Sequence, residues 1–389
     1  MKTVLLTNGQ LRKTLAAARS LGRRGVPVIV ADTTRIHPAG FSKYVRKSLI
    51  YPDPRTAPEA FLDWLERTVE RERIDIVFPM DDDTLEAAMA GRSRLEALCA
   101  VPLPPEGSYR IAADKGSATR RAAEAGVACP RTAQPRSFAE AEAWAARFEY
   151  PAVIKPRFSS GSRGIRVARD PAELMTAYRA IHERFPWPLI QEFVPPGERF
   201  DVCFLYDGES GAPKAVFAQK ELRHFPVERG PSTAQESVVV PALTEAALAI
   251  MDGLPWRGVV ELEFMVDPRD GVPKFMEINP RFWNSLQMAV TAGIDFPWLQ
   301  YLMCCGEPLP PPSDYAVGLR CRWLLPGDML HFLASKERFR MEPPLWAGRR
   351  SGMTDDTLSA DDPLPTLGLL LACCKYAADP GMWKSFFGR

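Results

Sequence analysis

The chain has 389 residues and carries 49 Lys and Arg against 48 Asp and Glu, a net charge of +1. So even a balance gives no electrostatic ground for nucleic acid or an anionic membrane as partner, and any charged ligand must be met locally. A length of this order exceeds what one hydrophobic core serves and points to roughly two to four packed units.

The opening MKTVLLTNGQ lacks the length and cleavage pattern of a secretory leader, so the mature chain is expected to begin here. The first hundred residues then alternate. VLLT reads as a strand, about Gln10 to Arg24 as a helix, VPVIVAD as a strand, about Ala57 to Arg73 as a helix and DIVFPM as a strand. That order predicts a parallel sheet with flanking helices. Such sheets bind ligands outside their carboxyl strand ends, which puts Asn8, Asp32 and Asp81 to Asp83 where a pocket would be. The aspartates equally suit the N-cap of a helix beginning near Thr84, and that reading is preferred. Only Gly9 follows the first strand, so the G-x-G-x-x-G fingerprint is absent and nicotinamide oxidoreductase chemistry is disfavoured.

A second unit, residues 108–188, opens with the helix IAADKGSATRRAAEAGV, which Gly126 stops. Val153 and Ile154 form a short strand delivering Lys155. The loop Ser159 to Gly164, SSGSRG, contains Arg163 and precedes the strand IRVA. Its backbone N–H groups can close over phosphates, although loops of this composition also serve as plain hairpin connections. A third unit, residues 189–312, holds the strands LIQEFV, FDVCFLYD and KAVFAQKEL, a helix from about Thr244 to Leu254, and a hairpin from Val259 to Asn279. The proline-rich EPLPPPS reads as a semi-rigid linker. Residues 313–389, ending in a helical stretch with Trp383, Phe386 and Phe387, are too apolar for a solvated tail and are expected to pack as an appendage or lid. The longest strongly apolar run, 367–374, falls well short of the roughly 20 residues that span a bilayer. The eight cysteines include the vicinal pairs Cys304-Cys305 and Cys373-Cys374 but no C-x-x-C. Neither a zinc site nor a disulfide framework is indicated, and a reducing cytoplasm fits.

The hairpin is the most informative segment. Alternation puts Val260, Leu262, Phe264 and Val266 on one face of its first strand and Glu261 and Glu263 on the other, while Phe275, Glu277 and Asn279 share a face of the second. A turn centred on Asp270 sets Glu263 opposite Glu277 and Glu261 opposite Asn279, with Cβ atoms about 5 Å apart. Carboxylates that close repel unless a cation lies between them. Two carboxylates and an amide oxygen suit Mg²⁺, which takes oxygen ligands at about 2.0–2.1 Å. The plain alternative is a solvated sheet face. Arg281, following Pro280, supplies a fixed cation suited to phosphate oxygens and favours the metal reading.

Taken in order, the DK pair Asp114-Lys115, VIKP at Val153 to Pro156, SSGSRG, QEFVPPGE at Gln191 to Glu198, and ELEF followed by MEINPR resemble the ATP-grasp superfamily of ligases. The likeness is greatest to its carboxylate-amine ligase and carbamoyl-phosphate-synthase-like members, and covers roughly Val4 to Pro308. It implies a mixed α/β and α+β fold: an N-terminal Rossmann-like parallel-sheet domain (1–107), a two-subdomain ATP-grasp fold (108–188 and 189–312) and a C-terminal extension (313–389). It implies that Lys115 and Lys155 reach the phosphates of ATP and that Ser159, Ser160, Gly161, Ser162 and Gly164 close above them. Gln191, Glu192, Phe193 and Val194 would line the adenine pocket, and Glu198 would hold the ribose. Glu263, Glu277 and Asn279 would hold one or two Mg²⁺, or Mn²⁺ in their place. Arg281 would grip the transferred phosphoryl group, and Lys220 and Arg223 would contact phosphate or a substrate carboxylate. Glu261 receives no role, and Arg229-Gly230 departs from the paired glycines of many relatives.

The reaction so implied is ATP-dependent joining of a carboxylate to an amine through an acyl phosphate, with ADP and phosphate released. The partners are then a small-molecule acid and amine, and a homodimer is compatible with the resemblance. Two alternatives use the same site: a carboxylase or carbamate-phosphorylating enzyme, and a nucleotide-binding sensor module without turnover. The histidines His37, His182, His224 and His331 show no ligand spacing such as H-E-x-x-H.

Overall fold

The computed structural model describes residues 1–159, 164–227, 230–348 and 352–377. Two compact units divide the chain: one combines Met1–Leu103 with Arg281–Met329 and Glu342–Arg389, and the other combines Pro104–Pro280 with Leu330–Met341.

The first unit begins with β1 (Val4–Leu6), α1 (Arg12–Arg23), β2 (Val28–Asp32), β3 (Val45–Ile50), α2 (Pro58–Glu72), β4 (Ile76–Phe78), α3 (Asp82–Ala90) and α4 (Arg92–Glu96). Its strands form a parallel sheet in the order β3-β2-β1-β4. Every residue of β1, β2 and β4 is buried, as a sheet covered on both faces requires. Strand β3, absent from the sequence-based expectation, is an edge whose VRKSLI side chains are mostly exposed. Its polarity hides it. Helix α1 is buried all round, with Leu15, Ala16, Ala17, Ala18 and Leu21 shut off from solvent. Pro58 starts α2, where its missing N–H costs nothing, and Arg73 ends it in the left-handed region. Asp81 stands at the N-cap of α3, as the preferred reading of that acidic run expected.

The second unit opens with α5 (Glu106–Ala113), α6 (Lys115–Glu124), β5 (Thr132–Ala133), α7 (Phe138–Ala145), β6 (Ala152–Lys155), β7 (Arg166–Ala168), α8 (Pro171–His182) and β8 (Leu189–Glu192). An antiparallel sheet β5-β8-β6-β7 packs Ile154 and Ile190 against Ala141, Leu174 and Tyr178 of α7 and α8. Next come β9 (Arg199–Asp207), β10 (Pro213–His224), β11 (Ser232–Ser237), α9 (Pro241–Met251), β12 (Arg257–Val266) and β13 (Pro273–Asn279). These strands run antiparallel in the order β13-β12-β9-β10-β11. One sheet face is a core of Val202, Phe204, Val260, Leu262 and Phe264 packed with Ala118 and Ala122 of α6 and Ala247 and Ile250 of α9. The other face carries the polar side chains of the candidate site. Strand β11 escapes the sequence reading because STAQES holds no apolar alternation, although most of it is buried.

The first unit resumes with α10 (Leu286–Ala292), α11 (Phe296–Cys305) and β14 (Arg320–Arg322), and α12 (Met329–Ala334) crosses to the second unit after its first residue. The chain returns through β15 (Met353–Asp355), parallel to β14, and α13 (Leu364–Ala377). Within the first unit, buried Asp356 and Asp362 pair with Arg12 and Arg19 of α1, the latter at 2.9 Å, and so tie the stretch after β15 to that helix. Charges taken that far from water require such partners. Among the described residues no helix is long and apolar enough to cross a membrane.

Candidate active site

The β12–β13 hairpin of the second unit sets the geometry. Glu261 lies opposite Asn279 and Glu263 opposite Glu277, the register that alternation predicts. A register shift between Glu263 and Phe264 then pairs Phe264 with Phe275, leaving Met276 as the extra residue. Phe275 is therefore not on the acidic face, as expected from simple alternation, but in the core, with its ring centroid 6.0 Å from that of Phe264. The bulge lies on the turn side of the acids and leaves their pairing intact.

The acids and amide form a bonded group. Asn279 Nδ2 donates to Glu263 Oε1 at 2.7 Å and to Glu261 Oε2 at 3.0 Å, which gives Glu261 a place the sequence did not assign. Across β12, Glu263 faces Asp201 of β9, and Asp201 Oδ2 accepts from Gln219 Nε2 of β10 at 2.6 Å. Burial, and then the charges of Glu221 and Glu261, push the Asp201 carboxyl well above its ordinary range. Sequence reasoning missed Asp201 and Gln219, whose link to the hairpin is made only by pairing of strands distant in the chain. Among the described residues no group of three or more His, Cys, Asp or Glu side chains is arranged to hold a metal ion, so the candidate ligands are two carboxylates and an amide.

Two lysines meet this group. Asp114 caps α6 by accepting from the Gly116 N–H at 3.0 Å, and the next residue, Lys115, sends its ammonium to Glu277 Oε2 at 2.8 Å and the Ser159 carbonyl at 2.6 Å. Arg157 pairs with Asp114, and the Lys115 N–H donates to the Arg157 carbonyl at 3.1 Å, so the helix start and the segment after β6 are stapled together. Lys155 is buried at the end of β6. Desolvation, reinforced by the charge of Lys115, lowers its pKa to about 8 against the opposing pull of Glu277 and Glu263. Gly164 adopts a left-handed φ of 77° and, lacking a Cβ, fits against Pro156. Ser160, Gly161, Ser162 and Arg163 lie outside the described residues, as do Arg229, Trp383, Phe386 and Phe387.

On β8 the side chains of two expected adenine contacts are engaged in structural bonds. Gln191 Nε2 donates to Thr132 Oγ1 at 2.7 Å. Glu192 accepts from the Arg131 N–H at 3.0 Å and from Lys274 at 3.3 Å, and it pairs with Arg269; these bonds, against burial, hold its carboxyl below the ordinary range. Phe193 is half-buried and Val194 buried. Glu198 pairs with Lys220, whose ammonium sits 5.7 Å from the Phe200 ring centroid. Register places Lys220 opposite Phe200, and so on the face of β10 turned away from the acids; Gln219 and Glu221 take the acid-bearing face. Arg223 is buried beyond a bulge.

Arg281 belongs to the first unit, where its Nε lies 3.2 Å from Asp82 and 3.5 Å from Asp81. Asp81 also accepts from Lys13 at 2.7 Å. The Lys13 side chain is 0% exposed and donates to the Phe282 carbonyl at 3.0 Å.

Residues 112–285 match the family model described as an ATP-grasp domain. Among curated proteins, the carbamoyl phosphate synthase large chain of Kocuria rhizophila is 28% identical over 44% of this chain and 16% of that protein. The formate-dependent phosphoribosylglycinamide formyltransferase of Ignicoccus hospitalis is 27% identical over 72% of this chain and 69% of that protein. The chain thus spans about a sixth of the length of the carbamoyl phosphate synthase it matches. A biotin carboxylase from Campylobacter jejuni, solved as a β,γ-ATP complex, superposes with a TM-score of 0.69 at 18% identity over 82% of this chain and 74% of that one, a likeness of fold. Residues 112–285, with their lysines, acidic hairpin and paired sheets, are an ATP-grasp domain.

Proposed function

We propose that the protein is an ATP-dependent ligase that phosphorylates a carboxylate and joins the resulting acyl phosphate to an amine, releasing ADP and phosphate. The observation that carries this reading is the convergence of Lys115 and Lys155 on Glu277, beside Glu263 and Asn279, within the ATP-grasp domain. Phosphoryl transfer asks little covalent help of a protein and much alignment and charge stabilisation, which these residue types supply. Lys115 would exchange Glu277 for a phosphate oxygen, and Lys155, desolvated at the end of β6, would regain in phosphate the counter-charge its burial lacks. With the Gln191 and Glu192 side chains engaged elsewhere, the base would be read by backbone groups near Phe193 and Val194, with Glu198 toward the ribose. The Ser159 to Gly164 loop would close over the phosphates. By their place in the sequence motifs, Arg281 is assigned to the transferred phosphoryl group and Arg223 to the substrate side; Lys220, on the far face of β10, is assigned a supporting contact through Glu198.

Mg²⁺ fits the donor set. Magnesium is held through one or two carboxylates plus substrate phosphates rather than a closed protein cage, and Glu263 and Glu277 with Asn279 offer that arrangement. When bound, the ion neutralises charge on the phosphate oxygens. A ligase that consumes ATP and small metabolites belongs in the cytoplasm.

The fold likeness to a biotin carboxylase favours a second reading, ATP-dependent activation of bicarbonate or carbamate at the same residues. One experiment separates them. The full chain is incubated with Mg-ATP and either bicarbonate or a deproteinised cell extract, and ADP is measured alongside a mass-spectrometric search for a species equal to two metabolites minus water. Such a species supports the ligase, ADP formation with bicarbonate alone supports the second reading, and nucleotide binding without ADP overturns both.

A further inference from the structure

We propose that His224 accepts the proton of the incoming amine and that Glu221 is the positioning residue that holds its imidazole, an inference that rests on the ligase reading. Three observations carry it. The first is the face of the sheet. Gln219 is in register with Asp201, which is in register with Glu263, and Glu221, two residues along β10, shares that acid-bearing face.

The second is the bulge. In an extended strand, residues three apart point to opposite faces and lie about 10 Å from each other along the chain. Two register shifts, between Glu221 and Arg223 and between Arg223 and His224, break that alternation at the end of β10, and His224 Nε2 lies 2.7 Å from Glu221 Oε2. The third is the support around the pair. His331 Nδ1 bonds the His224 backbone carbonyl at 2.7 Å, and Arg199 of β9 stands 4.0 Å from the same Glu221 oxygen. Both side chains are 14% exposed, sheltered yet reachable.

A carboxylate accepting from Nε2–H fixes the tautomer whose lone pair is on Nδ1, the arrangement of an oriented general base. The other ionisable groups around the pair are Asp201 on β9, Lys220 and Arg223 on β10, Glu236 on β11 and His331 on α12. In the reaction, an ammonium group gives one proton to His224 Nδ1. The nitrogen lone pair forms the C–N bond at the acyl carbon, the C–O bond to phosphate breaks with its electron pair going to phosphate, and the second proton leaves with that phosphate.

The test uses the full chain with Mg-ATP, a deproteinised cell extract as the source of acids and amines, and hydroxylamine as a competing nucleophile. Hydroxylamine is largely uncharged at neutral pH and attacks acyl phosphates without a proton acceptor. His224→Gln is expected to lower the ratio of ligated product to hydroxamate about a hundredfold and to be partly rescued by added imidazole. Glu221→Gln is expected to lower the same ratio about tenfold, as the loss of an orienting partner does. An unchanged ratio in His224→Gln, with no response to imidazole, overturns the assignment and leaves the ligase reading standing. Absence of both product and hydroxamate with the unaltered protein overturns the ligase reading and this assignment with it.

Discussion

Two of the acidic clusters among the described residues, Asp81 to Asp83 and Glu263 with Glu277 and Asp201, are built for different ends. In the first unit, Asp81, Asp82 and Asp83 lie at the start of α3. Asp81 pairs with Lys13, Asp82 with Arg281, and Asp83 accepts from the Thr84 N–H at 2.8 Å and from Asn8 Nδ2 at 3.1 Å. Each carboxylate there has a structural employer. In the second unit, Glu263 faces Glu277 across one strand pair and Asp201 across the other, so acids oppose acids and two lysines approach them. Both clusters answer their carboxylates with donors, but the second sets acid opposite acid across paired strands with two lysines beside them, an arrangement suited to hold a cation and a phosphate.

The sharpest way to break that contrast is Glu277→Gln. Removing one of two opposed carboxylates is expected to lower Mg-ATP-dependent ADP formation by at least about a thousandfold while leaving the urea midpoint close to that of the unaltered protein; retained turnover would remove the second cluster from the chemistry. Asp81→Ala should do the reverse. It leaves Lys13 buried without its carboxylate, and a loss of about 3–5 kcal/mol is expected in urea unfolding. A loss under about 1 kcal/mol would mean that the Lys13–Asp81 pair does not stabilise the fold.

The pH dependence of nucleotide affinity comes next in size. Lys155 of the ligand-free protein releases its proton at about 8, and an anionic phosphate favours the charged form, so binding takes up a proton above that value. Calorimetry should show Mg-ADP affinity constant below pH 8 and falling with further rise, up to about tenfold per pH unit, with the limb absent in Lys155→Arg. The smallest effect is expected at Asp83. Burial, and then the charge of Asp81, raise its carboxyl, so the folded state holds that proton more tightly than the unfolded chain and the ionised group costs stability at neutral pH. Asp83→Asn keeps the acceptor for Thr84 and is expected to raise Tm by about 1–2 °C at pH 7, with no gain at a pH low enough to protonate the native carboxyl.

Much of the second cluster is legible in the chain because its hairpin is local: alternation and the DPRDG turn between them set Glu263 against Glu277. What escapes notice depends on longer connections or on breaks in alternation. Asp201 and Glu221 join the acids only through pairing of β9 with β12 and β10, and a single bulge at Met276 moves Phe275 to the core. Lys220 reads as a site residue by its neighbours in sequence, yet the period of two turns it to the opposite face. Strands β3 and β11 lack apolar alternation for opposite reasons, one being an exposed edge and the other a row of buried polar side chains.

Gly197 sits where a Cβ would come within 1.9 Å of the Val266 carbonyl oxygen, and the neighbouring Glu198 carbonyl accepts the Val266 N–H at 2.8 Å. The connection between β8 and β9 is thus laid directly on the backbone of β12, with no side chain as spacer. Even alanine would wedge the two apart. How closely this connection approaches the end of the strand bearing Glu263 is consequently gauged by main chain at that point, and only a residue without a Cβ tolerates it.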